Sequence, residues 1–382
     1  MRALVYWTSS VVGGIQRFNA LLTRALLDLG ADVAVLAPLS FNREKIGYYH
    51  GVDLGGAHVI KYGIINCGGS YCDMINSLQG NVTLANMVDI FDIIFIDSPS
   101  LFPASKVLIQ RQNYIYYIHG AIMSSRPRPI LTFKPHRLLM HALTTFITDY
   151  NIFRVKDRVY ANSLFTAMLS KNALGYKPDI LYPPVDIGRV VKYRDYKEPI
   201  VSMLARFGAS KGWDLTLIAF SEAVNKCGVH NTKLYLMGSV NSNVQATYVN
   251  YILGLSRKLG IDDKVKILIN PSIDDIYRML NKSMVFIHVR PNEPFGIVVA
   301  EAMAAGAVPI VHKSGGPWFD IVEMGKYGYG FINAEEAADA LCRVLTSDRE
   351  FEKMSNLAKE KADEFSYEKF KDRIDNIISK FT

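Results

Sequence analysis

The chain is short of cysteine, of glutamate in its first half and of long apolar runs, and each shortage excludes something. Four cysteines in 382 residues (Cys67, Cys72, Cys227, Cys342) are too few and too scattered for a disulfide framework. Cys67 and Cys72 have a C-x4-C spacing, but no second pair or histidine cluster completes a zinc site. All four therefore read as ordinary thiols. No apolar run reaches the ~18 residues needed to span a bilayer. The opening MRALVYWTSS reads as a first strand, because a signal peptide needs a longer apolar core and a cleavage site. The localisation expected from this is cytoplasmic.

Chemical motifs are missing too. No G-x-G-x-x-G follows the first strand and no G-x-x-x-x-G-K-[ST] occurs, so dinucleotide redox and P-loop chemistry lose their usual signals. H-E-x-x-H is absent. Without a D-x-D, the simplest carboxylate arrangement for a divalent metal on a diphosphate is lacking, and no metal is expected. Glu44 is the sole glutamate of residues 1–190, so a catalytic glutamate belongs to the second half.

What is present is a globular composition: 49% hydrophobic, 21% charged, net charge +7, with a mean hydropathy of +0.10. Residues 1–190 hold 18 Lys+Arg against 12 Asp+Glu, and residues 191–382 hold 25 against 24, so the basic excess lies in the first half. Such an excess admits anionic partners. Apolar strand-like runs alternate with helical periodicity throughout. Arg2–Trp7, Asp32–Ala37, Asp92–Asp97 and Tyr114–Ile118 are predicted strands of one half. Pro199–Leu204, Thr232–Met237, Lys264–Ile267, Met284–Val289 and Ala307–Val311 are those of the other. That alternation predicts α/β architecture with parallel sheets covered on both faces. Pro183-Pro184 can join neither a helix nor a central strand, so two doubly wound domains are expected to meet there and face a cleft. The expected division is 1–185, a linker 186–198, a domain 199–364 and a terminal helix 365–382.

Candidate site residues sit at predicted strand ends. Gly13-Gly14 opens a helix after the first strand, which suits either an anion or a tight turn. His119 ends the apolar YIYYI run and is either packed or ligand-facing, whereas the other histidines lack such a setting. Arg206 and Lys211 follow a strand and suit a diphosphate, unless they are ordinary solvated cations. In EPFGIVVAE, Glu293 precedes a helix expected to begin near Gly296, and Phe295, Gly296 and Ile297 place N–H groups at its start. Glu301 lies inside that apolar helix, an unusual place for a carboxylate without a partner, which argues for a ligand. Residues 126–158 hold seven cations and two acids with apolar residues interleaved; Arg126, Arg128, Lys134 and Arg137 are candidate acceptor or membrane contacts. A core-packed helix with a solvated basic side fits the same pattern. A nucleic-acid partner is not expected, because no recognition motif accompanies the charge.

Taken in order, the GG loop, ANSLFT, LYPPVD, ARFGASKGWDL, EPFGIVVAE, AEAMAAGAVPIV and HKSGGPWFDIV resemble the retaining GT-B glycosyltransferases of family 4, and among them the mannosyltransferases that extend lipid-linked oligosaccharides. The resemblance implies two Rossmann-like domains, an N-terminal one for acceptor and a C-terminal one for nucleotide sugar, with the last helix crossing back to the first domain. It implies hexosyl transfer, mannose favoured, from a GDP- or UDP-sugar to a lipid-linked or glycan acceptor, with no metal or cofactor and with peripheral attachment to an anionic membrane surface on its cytoplasmic face. By the same resemblance Arg206 and Lys211 bind the donor diphosphate, Glu293 faces the donor sugar with Phe295, Gly296 and Ile297 at its backbone contacts, and Glu301 holds the ribose. Gly14 and His119 contact phosphate and reacting sugar. A nucleotide-sugar epimerase on the same scaffold and a non-catalytic nucleotide-sugar-binding protein are the alternatives.

Overall fold

A computed structural model describes residues 1–8, 13–63, 70–98, 100–122, 149–193 and 196–381. The chain divides into two compact units, Met1–Pro183 with Tyr367–Thr382, and Pro184–Ser366. The break falls between the two prolines, and residues 186–193 and 196–198, expected in a linker, belong to the second unit.

In the first unit the strands are β1 (Arg2–Tyr6), β2 (Asp32–Pro38), β3 (His58–Tyr62), β4 (Ile93–Ile96), β5 (Tyr114–Ile118), β6 (Val159–Ala161) and β7 (Asp179–Ile180). They form one parallel sheet in the order β3-β2-β1-β4-β5-β6-β7. The register sets Leu4 beside both Ala34 and Ile94. Helices α1 (Gly14–Asp28), α2 (Arg43–His50), α3 (Ser70–Met87), α4 (Ala104–Arg111) and α5 (Leu164–Leu174) connect them. Because successive strand residues point to opposite faces, the sheet feeds two cores. Ala3, Val5, Ile115 and Tyr117 pack on one side with Phe18, Leu22 and Leu26 of α1. Leu4, Tyr6, Tyr114 and Tyr116 pack on the other with Leu84, Leu108 and Ala167. Each such fully buried large side chain contributes about 1.5–3 kcal/mol.

The second unit repeats the scheme. Its strands β8 (Glu198–Leu204), β9 (Lys233–Gly238), β10 (Val265–Ile269), β11 (Ser283–His288), β12 (Val308–His312) and β13 (Tyr329–Phe331) lie in the order β10-β9-β8-β11-β12-β13, all parallel. Helices α6 (Ile187–Val190), α7 (Trp213–Cys227), α8 (Asn243–Lys258), α9 (Ile273–Lys282), α10 (Ile297–Ala304), α11 (Ala334–Leu345) and α12 (Asp348–Ala362) accompany it. Their starts follow capping chemistry: Ser272 and Asp275 form a reciprocal capping box on α9, and Asn333 and Ser347 cap α11 and α12. The last helix, α13 (Tyr367–Ile378), returns to the first unit, where Phe370, Ile374 and Ile377 join the core beneath α1.

Two expectations are corrected here. Cys227 and Cys342 are joined in a disulfide between α7 and α11. Side-by-side packing of those helices brings the two Cα atoms to 5.9 Å, the separation a disulfide needs, although 115 residues lie between them. The described end of the basic segment is also not an α-helix. Tyr150–Phe153 and Lys156–Arg158 are 3-10 turns, in which Arg158 lies 4.0 Å from the Phe381 ring and Lys156 is 5.7 Å from that of Tyr176. Arg126, Arg128, Lys134 and Arg137 lie outside the described residues.

Candidate active site

The main group of chemical side chains forms at the carboxyl end of the second sheet. β8 runs into a loop pinned by an aromatic pair: Phe207 stacks on Trp213 at 4.6 Å, and the Trp213 indole N–H donates to the Arg206 carbonyl at 3.4 Å. Arg206 is exposed on this loop, while Lys211 closes a 3-10 turn and is half-buried. Gly212, at φ +75°, lies so close to the end of β11 that a Cβ there would meet Val289 Cγ2 at 2.6 Å. The loop after β8 is thereby set against the loop after β11.

That second loop carries Glu293. Arg290 Nη1 donates to Glu293 Oε2 at 2.7 Å, and His288 Nε2 is 4.0 Å from the same oxygen. Burial holds His288 neutral, its pKa pulled down to about 4, with Lys211 and Arg290 adding to the effect and Glu293 opposing it. Its Nε2 is buried and, among the described residues, has no hydrogen-bond partner. The Lys211 ammonium is held below its ordinary pKa by burial and by Arg290 and Arg206, with Glu293 pulling the other way. Lys211 thus faces two other cations and one carboxylate, an excess of positive charge suited to a polyanion.

The Glu293 loop is fixed from behind by residues following β12. The Gly316 N–H donates to the Glu293 carbonyl at 2.8 Å. A Cβ on Gly315 would lie 2.5 Å from that carbonyl oxygen, and one on Gly316 would lie 2.4 Å from the Pro294 oxygen. The Ser314 hydroxyl accepts the Asn292 N–H at 2.9 Å and contacts His312 Nδ1 at 2.7 Å. The pair Gly315-Gly316 is therefore required by backbone approach. Gly296, at φ +94°, is the N-cap of α10, which starts at Ile297, one residue beyond the predicted start. The first N–H groups of such a helix have no intrahelical acceptor and carry its partial positive charge.

Glu301 is 2% exposed on α10, and the Tyr277 hydroxyl of α9 donates to its Oε1 at 2.9 Å. Tyr277 explains how a carboxylate is accommodated there, so its burial does not by itself require a ligand. The ends of the two helices are tied by Lys197, whose ammonium reaches the carbonyls of Leu280, Ser283 and Ala305 at 2.8–3.2 Å.

A second group lies in the first unit. His119 follows β5 and is wedged edge-on against Phe18 and Tyr117, at 5.2 and 4.8 Å. Its Nε2 is 3.4 Å from Asp97 Oδ2, close enough for charge interaction though not aligned as a hydrogen bond. Asp97 also accepts from Thr8 Oγ1 and Asn19 Nδ2, each at 3.3 Å. Gly14 begins α1 behind the N-cap Gly13 and is exposed.

Each unit thus gathers its own candidates: Arg206, Lys211, Glu293, Phe295, Gly296, Ile297 and Glu301 in the second, Gly14 and His119 in the first. Sequence reasoning missed His288, Arg290, Asp97 and Tyr277. Their signal was available for three of them. His288 and Arg290 are alternate polar positions closing an apolar run before Glu293, and Asp97 ends IIFI as His119 ends YIYYI. His288 also stands at a strand end, that of β11, a setting the sequence reading gave to His119 alone.

Residues 189–362 match the family described as Glycosyl transferases group 1. Among curated relatives, the Dictyostelium discoideum GDP-Man:Man(3)GlcNAc(2)-PP-Dol alpha-1,2-mannosyltransferase is 32% identical over 210 residues, 52% of this chain and 42% of that one. The Homo sapiens protein of the same name is 28% identical over 269 residues, 67% and 54% of the two chains. The chain spans about half the length of the curated relatives it matches. Among solved structures, a glycosyltransferase from Rickettsia africae aligns with a TM-score of 0.74 at 17% identity over 100% of this chain and 98% of that one. Anabaena HepE in complex with UDP aligns at 0.72 and 17% over the whole of both chains. The two parallel-sheet units have the GT-B architecture.

Proposed function

We propose that this protein is a retaining, metal-independent glycosyltransferase of family 4 that moves mannose from a GDP-sugar to a lipid-linked glycan. The observation that carries the proposal is the group Arg206, Lys211 and Glu293 at the strand ends of a segment matching glycosyltransferase group 1. The activity for which the relatives are named favours GDP-mannose as donor and a dolichol-diphosphate glycan as acceptor over a UDP-sugar or a free glycan.

The chemistry follows from charge. Breaking the bond between the anomeric carbon and the diphosphate oxygen leaves both electrons on the diphosphate, and the Arg206 and Lys211 cations stabilise them. The acceptor hydroxyl bonds to the same face of the anomeric carbon and gives its proton to a donor phosphate oxygen. No acid–base pair at glycosidase spacing is needed. Glu293 and the N–H groups at Phe295, Gly296 and Ile297 bind the donor sugar, and Glu301 accepts from the ribose hydroxyls. Gly14 contacts donor phosphate and His119 the reacting sugar, while Arg126, Arg128, Lys134 and Arg137 hold the acceptor's diphosphate or the anionic membrane surface. Two fixed cations take the part a metal plays elsewhere, so EDTA is expected to leave the rate unchanged.

A screen of nucleotide sugars for released nucleoside diphosphate, with and without a lipid-linked oligosaccharide, tests the reading. Acceptor-dependent release from GDP-mannose is expected. Sugar isomerisation without an acceptor, or nucleotide binding without release, would replace it with an epimerase or a binding protein. Lys211→Ala and Glu293→Ala are each expected to lower kcat about 10²–10³-fold, with little change in thermal midpoint. Near-normal transfer by both variants would sink the assignment.

A further inference from the structure

We propose that Arg290 is a positioning residue that holds the Glu293 carboxylate away from Lys211 and so keeps the Lys211 ammonium, with Arg206, available to a diphosphate. This rests on the reading of the second unit as the donor-diphosphate site. Lys211 and Arg290 both act on the Glu293 carboxylate, and the 2.7 Å contact goes to Arg290. The winner is set by local geometry. Arg290 and Glu293 are three residues apart across a tight turn in which Asn292 takes φ +53°, so the guanidinium reaches Oε2 at little cost in chain freedom.

The turn cannot drift, because the Gly316 N–H holds the Glu293 carbonyl and Ser314 holds the Asn292 N–H. His288 is buried against the same oxygen and, being neutral, adds no competing cation. Among the described residues Lys211 has no ion-pair partner. The groups that act on it are Arg206 from its own loop, Arg290 and Glu293 from the loop after β11, and His288 at the end of that strand. Without Arg290, Glu293 is released toward Lys211, on whose charge it already acts, and an ammonium paired with a carboxylate is a poor diphosphate ligand.

The test is a double-mutant cycle on the full chain, with GDP affinity measured by calorimetry. Arg290→Ala is expected to weaken GDP at least tenfold, and Arg290→Lys to restore most of the loss. Glu293→Gln is expected to recover GDP binding strongly in the Arg290→Ala background and only slightly in the parent, because the freed carboxylate is the cause of the loss. The basic limb of the turnover pH profile is expected to move upward in Arg290→Ala, since Lys211 then gains Glu293 and loses a like charge. Additive effects of the two substitutions, or an unmoved basic limb, overturn the proposal. Failure of the parent protein to bind any nucleoside diphosphate instead overturns the underlying donor-site reading, and the proposal with it.

Discussion

His288 couples the site to acidity. Burial keeps its imidazole neutral down to about pH 4, against 6.5 for an ordinary histidine. The unfolded chain therefore binds more protons than the folded one between those values, and stability falls as pH drops from 6.5 toward 4. Above 6.5 the contribution is complete. A shift of that size corresponds to about 3 kcal/mol, given 1.36 kcal/mol per unit. His50, similarly depressed to about 4 by burial and by Arg17, adds a slope of the same sign in the first unit. Urea titrations from pH 4 to 7 are expected to show a shallower acid loss in His288→Gln than in the parent. An identical slope in both would mean His288 is not buried neutral.

Single residues also show where sequence reading stops. Arg206, Lys211 and Glu293 were legible because chain order alone puts them at strand ends. Tyr277 was not, since nothing in a helix pattern says that its hydroxyl meets a carboxylate 24 positions later. Asp97 and Arg290 were overlooked because each looks like an ordinary surface charge until its partner, His119 or Glu293, is placed beside it.

At the level of elements, central strands were readable nearly to the residue: Tyr114–Ile118 is β5 itself, and Pro199–Leu204 differs from β8 by one position. Strands covered on both faces are continuous apolar runs, so composition marks them. The strands missed, His58–Tyr62, Val159–Ala161, Asp179–Ile180 and Tyr329–Phe331, lie toward the sheet margins and are short or polar. The most consequential element is the 314–316 turn beneath Glu293. Gly315→Ala adds a Cβ 2.5 Å from a carbonyl oxygen at φ +79°, so either the turn or Glu293 must move. The expected cost is ~1–3 kcal/mol of stability. A larger loss of turnover should accompany it, read by thermal melts alongside donor kinetics. Full turnover in this variant would show that Glu293 tolerates displacement.

On the scale of the whole molecule, the Cys227–Cys342 link was invisible to spacing rules because it joins helices 115 residues apart. Closing a loop of that length is worth up to about 4–5 kcal/mol in the chain-entropy account. Dithiothreitol is expected to lower the melting temperature, and Cys227→Ser to abolish the response. A reductant-insensitive parent would mean that the bond is not formed. Among the described residues no helix is long and apolar enough to cross a membrane. Vesicle flotation is expected to depend on anionic lipid and to weaken when Arg126, Arg128, Lys134 and Arg137 are neutralised together. Unchanged flotation would remove that segment from the membrane role.

The parallel bridge between Val185 and Ser366, with the Val185 N–H donating to the Phe365 carbonyl at 2.7 Å, ties together the two points where the chain enters and leaves the second unit. In topological terms the second unit is an insertion into the first, with its ends already side by side. Excised as residues 184–366, it would begin and end at one spot without cutting a strand of either sheet. The first unit, by contrast, is completed only by residues that follow the second unit in sequence, since α13 fills the core beneath α1. During synthesis the first unit must wait for α13, while the inserted one can close on itself.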